Sequence, residues 1–381
     1  MAVRSIRERE FRQPMLAALA ELRMLSPQRI CLIKPSAVGD IVNALPVLSA
    51  LRRRWPEAWI AWVVNHSFRS LLDGHPALNE VIAYDRRGTK LTPTGVARAR
   101  GFLQQLGRGG FDLAVDLQGL LRSGIMALAT GSKVRVGFAD AREGAVRFYT
   151  HQVPSPRDHN PVHAVDRLMR LAEVFGADVT EPRFVVPLGA DDRAWAQALV
   201  QNVPRPRLVL NPGASWKTKR WPPRQFGEIA RRAHDARGAG LVAIGSAEDA
   251  PLVAELRACL DPIPVLDLCG QTTLRQVAAI AAESDLVLSN DSGPLHLASA
   301  AGCPVVGLYT CTSPQLHGPY GRDAAAIQTN IWCAGSYLKT CSRLDCMHEL
   351  TPDRVWPLVL SRLDATRLRH SSLSGHQGGS R

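Results

Sequence analysis

The order of apolar and polar positions predicts alternating strands and helices. Short apolar runs at 29–33, 59–64, 81–84, 113–116 and 134–137 have the length of buried strands, and the last closes the first half. Helical spacing over 41–54 and 93–107, and over a short stretch after 124, fills the gaps between them. A helix over 163–176 ends at Gly176, and the proline-bearing stretch 177–206, with one helix near 190–201, reads as a connection. The pattern then restarts. Strands are expected at 207–210, 241–244, 265–267, 286–288 and 304–309, with helices at 223–237, 249–260 and 273–283 and one from Pro294 to Gly302. Continuous apolar strands alternating with helices indicate parallel, doubly wound α/β sheets. Two such passages predict two domains, 28–185 and 186–368. A basic leader, 1–27, precedes them, with Phe11, Met15, Leu16, Leu19, Leu22 and Leu25 spaced as an amphipathic helix over 11–25. A Gly/Ser/His/Arg tail, 369–381, follows and is expected to be disordered.

Length and charge narrow the picture. The 381 residues exceed one ordinary core and suit two domains. No apolar run approaches the ~18–20 residues that span a bilayer. The N-terminus lacks a signal-peptide pattern, so a cytoplasmic location is the default. The formal charge is +12, of which +9 falls in residues 1–180 and +3 in 181–381. A basic first half suits a phosphorylated substrate, anionic lipid headgroups or nucleic acid, and the absence of a nucleic-acid-binding signature disfavours the last. Cys31, Cys259, Cys269, Cys303 and Cys311 lie in or beside apolar runs and read as small core residues. Cys333, Cys341 and Cys346 cluster without a Cys-x-x-Cys pair, which leaves metal binding there open.

Candidate chemistry lies in the turns that follow strands. Residues 34–40, Lys-Pro-Ser-Ala-Val-Gly-Asp, place a lysine, a serine and an aspartate where a strand gives way to a helix. Asp40 there can cap the helix or act as general base. This turn is neither a Walker P-loop nor a dinucleotide fingerprint, which counts against a kinase and an NAD enzyme. Residues 211–222, Asn-Pro-Gly-Ala-Ser-Trp-Lys-Thr-Lys-Arg-Trp-Pro, carry three cations within four positions, and Ser215, Lys219 and backbone N–H groups suit a diphosphate. Glu248 and Asp249 follow another strand, where an acid can hold ribose hydroxyls or cap a helix. Thr272 stands in a turn that caps the next helix and is expected to line a base pocket. Residues 290–296, Asn-Asp-Ser-Gly-Pro-Leu-His, break a strand into a helix. Asp291 can cap that helix or hold a sugar hydroxyl, Ser292 and Gly293 bring its free N–H groups toward a phosphate, and His296 sits about one turn in.

Five segments in this order carry a family resemblance: 34–40, Asp-Leu-Gln-Gly-Leu-Leu-Arg-Ser at 116–123, His-Ala-Val-Asp-Arg at 163–167, Lys-Arg-Trp-Pro at 219–222, and 290–296. Over about residues 29–360 the chain resembles glycosyltransferase family nine, the ADP-heptose:lipopolysaccharide heptosyltransferases. The resemblance implies a GT-B fold, two Rossmann-like domains with an interdomain cleft, acceptor in the first and nucleotide sugar in the second. It implies no metal and no cofactor besides the ADP-heptose donor. It implies an inverting transfer to Kdo-lipid A or heptosyl-Kdo-lipid A, at the inner-membrane surface and without nucleic acid. Asp40 falls on the base. Ser215 and Lys219 fall on the diphosphate, with Lys219 also stabilising the leaving group; Glu248 or Asp249 falls on the ribose, and Asp291 on the sugar. Ser292, Gly293 and His296 fall beside the phosphates, and Thr272 also lines the donor site. Lys34, Ser36, Gln118 and Arg122 are expected to meet the acceptor. Ser292 and Pro294 stand where the family usually has Thr and often Leu, and the clustered cysteines resemble those of second-heptose members with one fewer near Cys333. A non-catalytic nucleotide-binding relative, an epimerase, or use of another nucleotide sugar are the alternatives.

Overall fold

The computed structural model describes residues 20–85, 92–155 and 161–375, with side chains to 366. They fall into two compact units that divide between Pro187 and Leu188. Most of the leader helix expected over 11–25 lies outside the described residues; its described end is helical over 20–23, with Leu22 buried.

The first unit is built on six parallel strands: β1 (Arg29–Ile33), β2 (Trp59–Asn65), β3 (Glu80–Tyr84), β4 (Leu113–Asp116), β5 (Val134–Phe138) and β6 (His151–Val153). Their order across the sheet is β3-β2-β1-β4-β5-β6. Its helices are α1 (Val38–Arg54), α2 (Pro93–Arg108), α3 (Leu121–Ala129) and α4 (Ala164–Glu173). Helices α1 and α4 pack on each other. Helices α2 and α3 cover one sheet face through Leu106, Met126 and Ala127, against Cys31, Ile33, Ala61 and Val63. Strand side chains alternate between faces, and both faces are covered, so β1 is apolar at every position from Ile30 to Ile33.

The second unit repeats the plan. Strands β7 (Arg207–Asn211), β8 (Gly240–Ala243), β9 (Val265–Asp267), β10 (Leu286–Asn290), β11 (Val305–Tyr309) and β12 (Ala324–Gln328) lie in the order β12-β11-β10-β7-β8-β9. Helices α5 (Ala190–Val200), α6 (Pro223–Arg237), α7 (Ala250–Ala258), α8 (Leu274–Ala282), α9 (Gly293–Ala300) and α10 (Pro352–Gly375) accompany them. Trp221 and Phe226 meet edge to face at 5.2 Å within a core formed by β7, β8, β10, β11, α6 and α10.

Read from its own first strand, each sheet has the order 3-2-1-4-5-6 of a Rossmann domain. In that topology the strand order reverses between β1 and β4, and between β7 and β10. The crevice outside the carboxyl ends of those strands is where open α/β sheets take ligands.

Three features depart from the expectations. The first half does not close at 134–137, because β6 pairs beyond β5. Strand β12 was not expected either. Both are edge strands of mixed or alanine-rich composition, half-covered, without the apolar run that marks a central strand. The last helix runs to Gly375, into the stretch 369–381 that composition assigns to a tail; residues 376–381 lie outside the described residues.

Candidate functional site

In the second unit the turns after β7 and β10 are tied together by two asparagines. Asn211 donates from Nδ2 to Ser289 Oγ at 2.8 Å and to Ser292 Oγ at 2.9 Å. Asn290 accepts the Trp221 N–H at 3.1 Å and donates to Pro212 O at 2.8 Å. The four bonds join the two sides of the strand-order reversal and fix one turn against the other.

Across this seam Lys219 Nζ reaches Asp291 Oδ2 at 2.6 Å, with both side chains largely buried. Thr312 Oγ1 donates to the same oxygen at 2.7 Å, and His296 Nε2 stands 3.6 Å from Asp291 Oδ1. Burial pushes the Asp291 carboxyl up, but the nearby His296 ring and the Lys219 charge outweigh it, and the group is held well below the usual carboxylate range. Asp291 therefore does not cap α9. Ser292 occupies the cap position, and its side chain makes no capping bond to the first N–H groups of that helix. Those N–H groups and the Lys219 ammonium are donors suited to a phosphate. His296 Nδ1 is buried and has no hydrogen-bond partner among the described residues.

The neighbouring turns add to this wall. Asp249, after β8, accepts from Ser246 N at 3.0 Å and Ser246 Oγ at 2.7 Å. Its carboxylate lies over Gly213, where an added Cβ would come within 2.5 Å of Oδ2. Glu248 beside it is exposed, as is Ser215. Thr273 caps α8 by accepting the Gln276 N–H, while the adjacent Thr272 keeps a buried Oγ1 that has no partner among the described residues. Trp216 is flanked by two ammonium groups, Lys219 at 4.6 Å and Lys339 at 5.1 Å from the ring centre.

In the first unit the reversal point brings together the turns after β1 and β4, with Ile33 in register with Asp116. Lys34 is buried and donates from Nζ to Leu117 O at 3.1 Å. Burial lowers its pKa, and the charges of Asp40 and Asp116 oppose that. Asp40, in the first turn of α1, accepts the Ala37 N–H at 3.2 Å. Gln118 has a buried Oε1 without a partner among the described residues, and Arg122 donates to Tyr84 OH at 3.1 Å. Ser36 is half-buried, and its peptide bond to Ala37 is cis.

Several residues of these walls were not singled out from the sequence. Asp116 is buried at the end of β4 and accepts from Tyr149 OH at 2.6 Å and from the Gln118 and Gly119 N–H groups. Burial pushes its carboxyl up, and those hydrogen bonds pull against the rise. Its place at a strand's carboxyl end was a signal. Thr312 and Tyr149 carried none, because each reaches its aspartate from a distant segment. Among the cysteines, Cys31, Cys303 and Cys311 are buried as expected, but Cys259 is exposed and Cys269 half-exposed: apolar neighbours in sequence do not cover a residue at a helix end or in a turn. Among the described residues no group of three or more His, Cys, Asp or Glu is arranged to hold a metal ion.

The family model described as glycosyltransferase family 9 (heptosyltransferase) matches residues 99–347. Lipopolysaccharide heptosyltransferase 1 of Pseudomonas aeruginosa is 30% identical over 349 residues, 89% of this chain and 96% of its own. Lipopolysaccharide core heptosyltransferase OpsX of Haemophilus influenzae is 29% identical over 78% of this chain and 83% of its own. The solved structure of Escherichia coli heptosyltransferase WaaC with ADP superposes with a TM-score of 0.71 at 23% identity, covering 88% of this chain and 99% of that one. The paired Rossmann-like domains are thus those of the GT-B fold that the resemblance implies. The chain belongs to glycosyltransferase family 9, the heptosyltransferase family.

Proposed function

We propose that the protein transfers heptose from ADP-heptose to the inner core of lipopolysaccharide, on Kdo-lipid A or heptosyl-Kdo-lipid A, with inversion at the anomeric carbon. One observation carries this most: the Lys219–Asp291 pair beside the uncapped start of α9, at the strand-order reversal of the second unit. The names of the relatives, both lipopolysaccharide heptosyltransferases, and the ADP in the WaaC structure support the choice of donor.

In this reading the donor's diphosphate takes the α9 N–H groups, Lys219 and Ser215, with Ser292, Gly293 and His296 beside it. Glu248 or Asp249 holds the ribose, Thr272 lines the base, and Asp291 meets the sugar while aiming Lys219. Lys34, Ser36, Gln118 and Arg122 bind the acceptor. Asp40 removes the proton from the acceptor hydroxyl as its oxygen attacks C1; the C1–O bond to ADP breaks, and the electron pair leaves on the β-phosphate. Lys219 and the helix-start N–H groups are placed to stabilise that growing charge, and transfer is expected to persist in a chelator. The acceptor is a membrane lipid, so the protein works at the cytoplasmic surface of the inner membrane. Among the described residues no helix is long and apolar enough to cross a bilayer.

The test is mass spectrometry of products from a panel of ADP- and UDP-sugars with Kdo-lipid A and its heptosylated form. A heptose adduct from ADP-heptose is expected. Transfer from a UDP-sugar alone would remove the donor assignment, ADP binding without any product would make the chain a non-catalytic relative, and sugar isomerisation without acceptor would make it an epimerase.

A further inference from the structure

Helices α2 and α3 bury one side against the first sheet, and the other side of α3 is also apolar. Leu121, Ile125 and Leu128 are 44%, 38% and 48% exposed, and Val96 on α2 is 56% exposed. Positions 121, 125 and 128 lie on one stripe of a helix. Leu106 of α2 and Met126 and Ala127 of α3 share one core cluster, so the two helices form one layer with a common outer side. An ordinary surface helix presents polar groups there.

The charges on this layer have one sign. Helix α2 carries Arg98, Arg100 and Arg108, helix α3 carries Arg122, and neither contains Asp or Glu. Lys133, just beyond α3, is exposed. One acid, Glu143, accepts the Leu121 N–H at 3.2 Å. The described end of the leader is held elsewhere: Arg54 and Trp55, at the end of α1, donate to Arg23 O and Leu25 O.

We propose that the outer side of α2 and α3 docks the protein on an anionic phospholipid surface, with Leu121, Ile125, Leu128 and Val96 entering the headgroup–acyl boundary and Arg98, Arg100 and Arg108 meeting lipid phosphates. An exposed apolar stripe alone would fit many partners. An apolar stripe on helices that carry four arginines and no acid of their own, with Glu143 beside Leu121, selects a surface that is both apolar and negative, which is the surface such helices bind. The idea gains its purpose from the reading that the acceptor is a lipid, but docking itself needs neither donor nor acceptor.

The experiment is flotation of the full chain with vesicles of phosphatidylethanolamine and phosphatidylglycerol, and with phosphatidylcholine vesicles, in the absence of nucleotide sugar. Binding to the anionic vesicles is expected, reduced by salt and weak on phosphatidylcholine. Ile125→Ser/Leu128→Ser and Arg98→Glu/Arg100→Glu should each lower it by about tenfold or more. Both pairs should keep the wild-type melting temperature and transfer to detergent-dispersed acceptor. Wild-type failure to float, equal binding to phosphatidylcholine, or folded variants that float unchanged would each overturn the proposal. Loss of flotation in variants of a protein that transfers no sugar would uphold it and remove the enzymatic reading alone.

Discussion

Lys219 Nζ lies 2.6 Å from Asp291 Oδ2, although 72 positions separate them. The pair exists because β7 and β10 are neighbours, so the turns after them share one seam. Lys219→Met leaves a largely buried carboxylate without its cation, which typically costs about 3–5 kcal/mol. In the proposed mechanism it also removes the donor assigned to the leaving diphosphate, a loss of about 10²–10³ in kcat by analogy with other charge-stabilising groups. Adding Asp291→Asn removes the stranded charge. The double variant should therefore regain melting temperature relative to Lys219→Met but not activity, and thermal melts beside product assays will read the two effects separately.

Two groups set two acid windows. Asp291 has its pKa depressed in the fold, so its contribution is present above the unfolded value of about 4 and is lost as pH falls toward the folded one. His75 is buried, and burial lowers its pKa from 6.5 to about 4. The unfolded chain then binds the extra proton between those values, so stability is full above about pH 6.5 and declines toward pH 4, by roughly 3 kcal/mol. His75 Nδ1 accepts the Ala77 N–H at 3.1 Å, which Asn can imitate. Denaturant unfolding against pH should show His75→Asn flattening the window from 6.5 to 4 and Asp291→Asn flattening the region below it.

Much of this arrangement could be read from the chain because central strands and their turns announce themselves. Leu286 to Asn290 is buried on both faces and is apolar from Leu286 to Leu288, up to the point where Ser289, Asn290 and Asp291 break the run. The turn after β1 is legible for the same reason. What stayed hidden depends on partners supplied by the fold. Asp291 reads as a helix cap until β7 brings Lys219 beside it and the segment after β11 brings Thr312. Edge strands β6 and β12 escape notice because a half-covered strand has no need of an apolar run.

Asp40 has a structural duty that any test of its chemistry must separate. Its carboxylate accepts the Ala37 N–H at the start of α1. Asp40→Asn keeps an oxygen for that bond but cannot act as a base at neutral pH. Transfer should fall by about 10²–10⁴ with the melting temperature and ADP affinity unchanged. Asp40→Ala should show the same loss of transfer plus about 1 kcal/mol of stability. If Asp40→Asn transfers heptose at the wild-type rate, the carboxylate is a cap and the base lies elsewhere.

Gly213 is required by its neighbour rather than by its backbone. A Cβ there would sit 2.5 Å from Asp249 Oδ2 and 2.6 Å from Cγ, closer than real Cβ atoms come. The carboxylate cannot simply swing away, because Ser246 N and Oγ both hold Oδ2. Gly213→Ala must break those bonds or displace the turn after β7. Either outcome disturbs the wall assigned to the donor, and calorimetry should show ADP affinity reduced by about tenfold, the equivalent of one charge-assisted hydrogen bond. Asp249→Ala removes the atoms that oppose the new methyl. In that background Gly213→Ala should cost little further affinity. Full additivity of the two losses would show that the glycine matters for something other than its contact with Asp249.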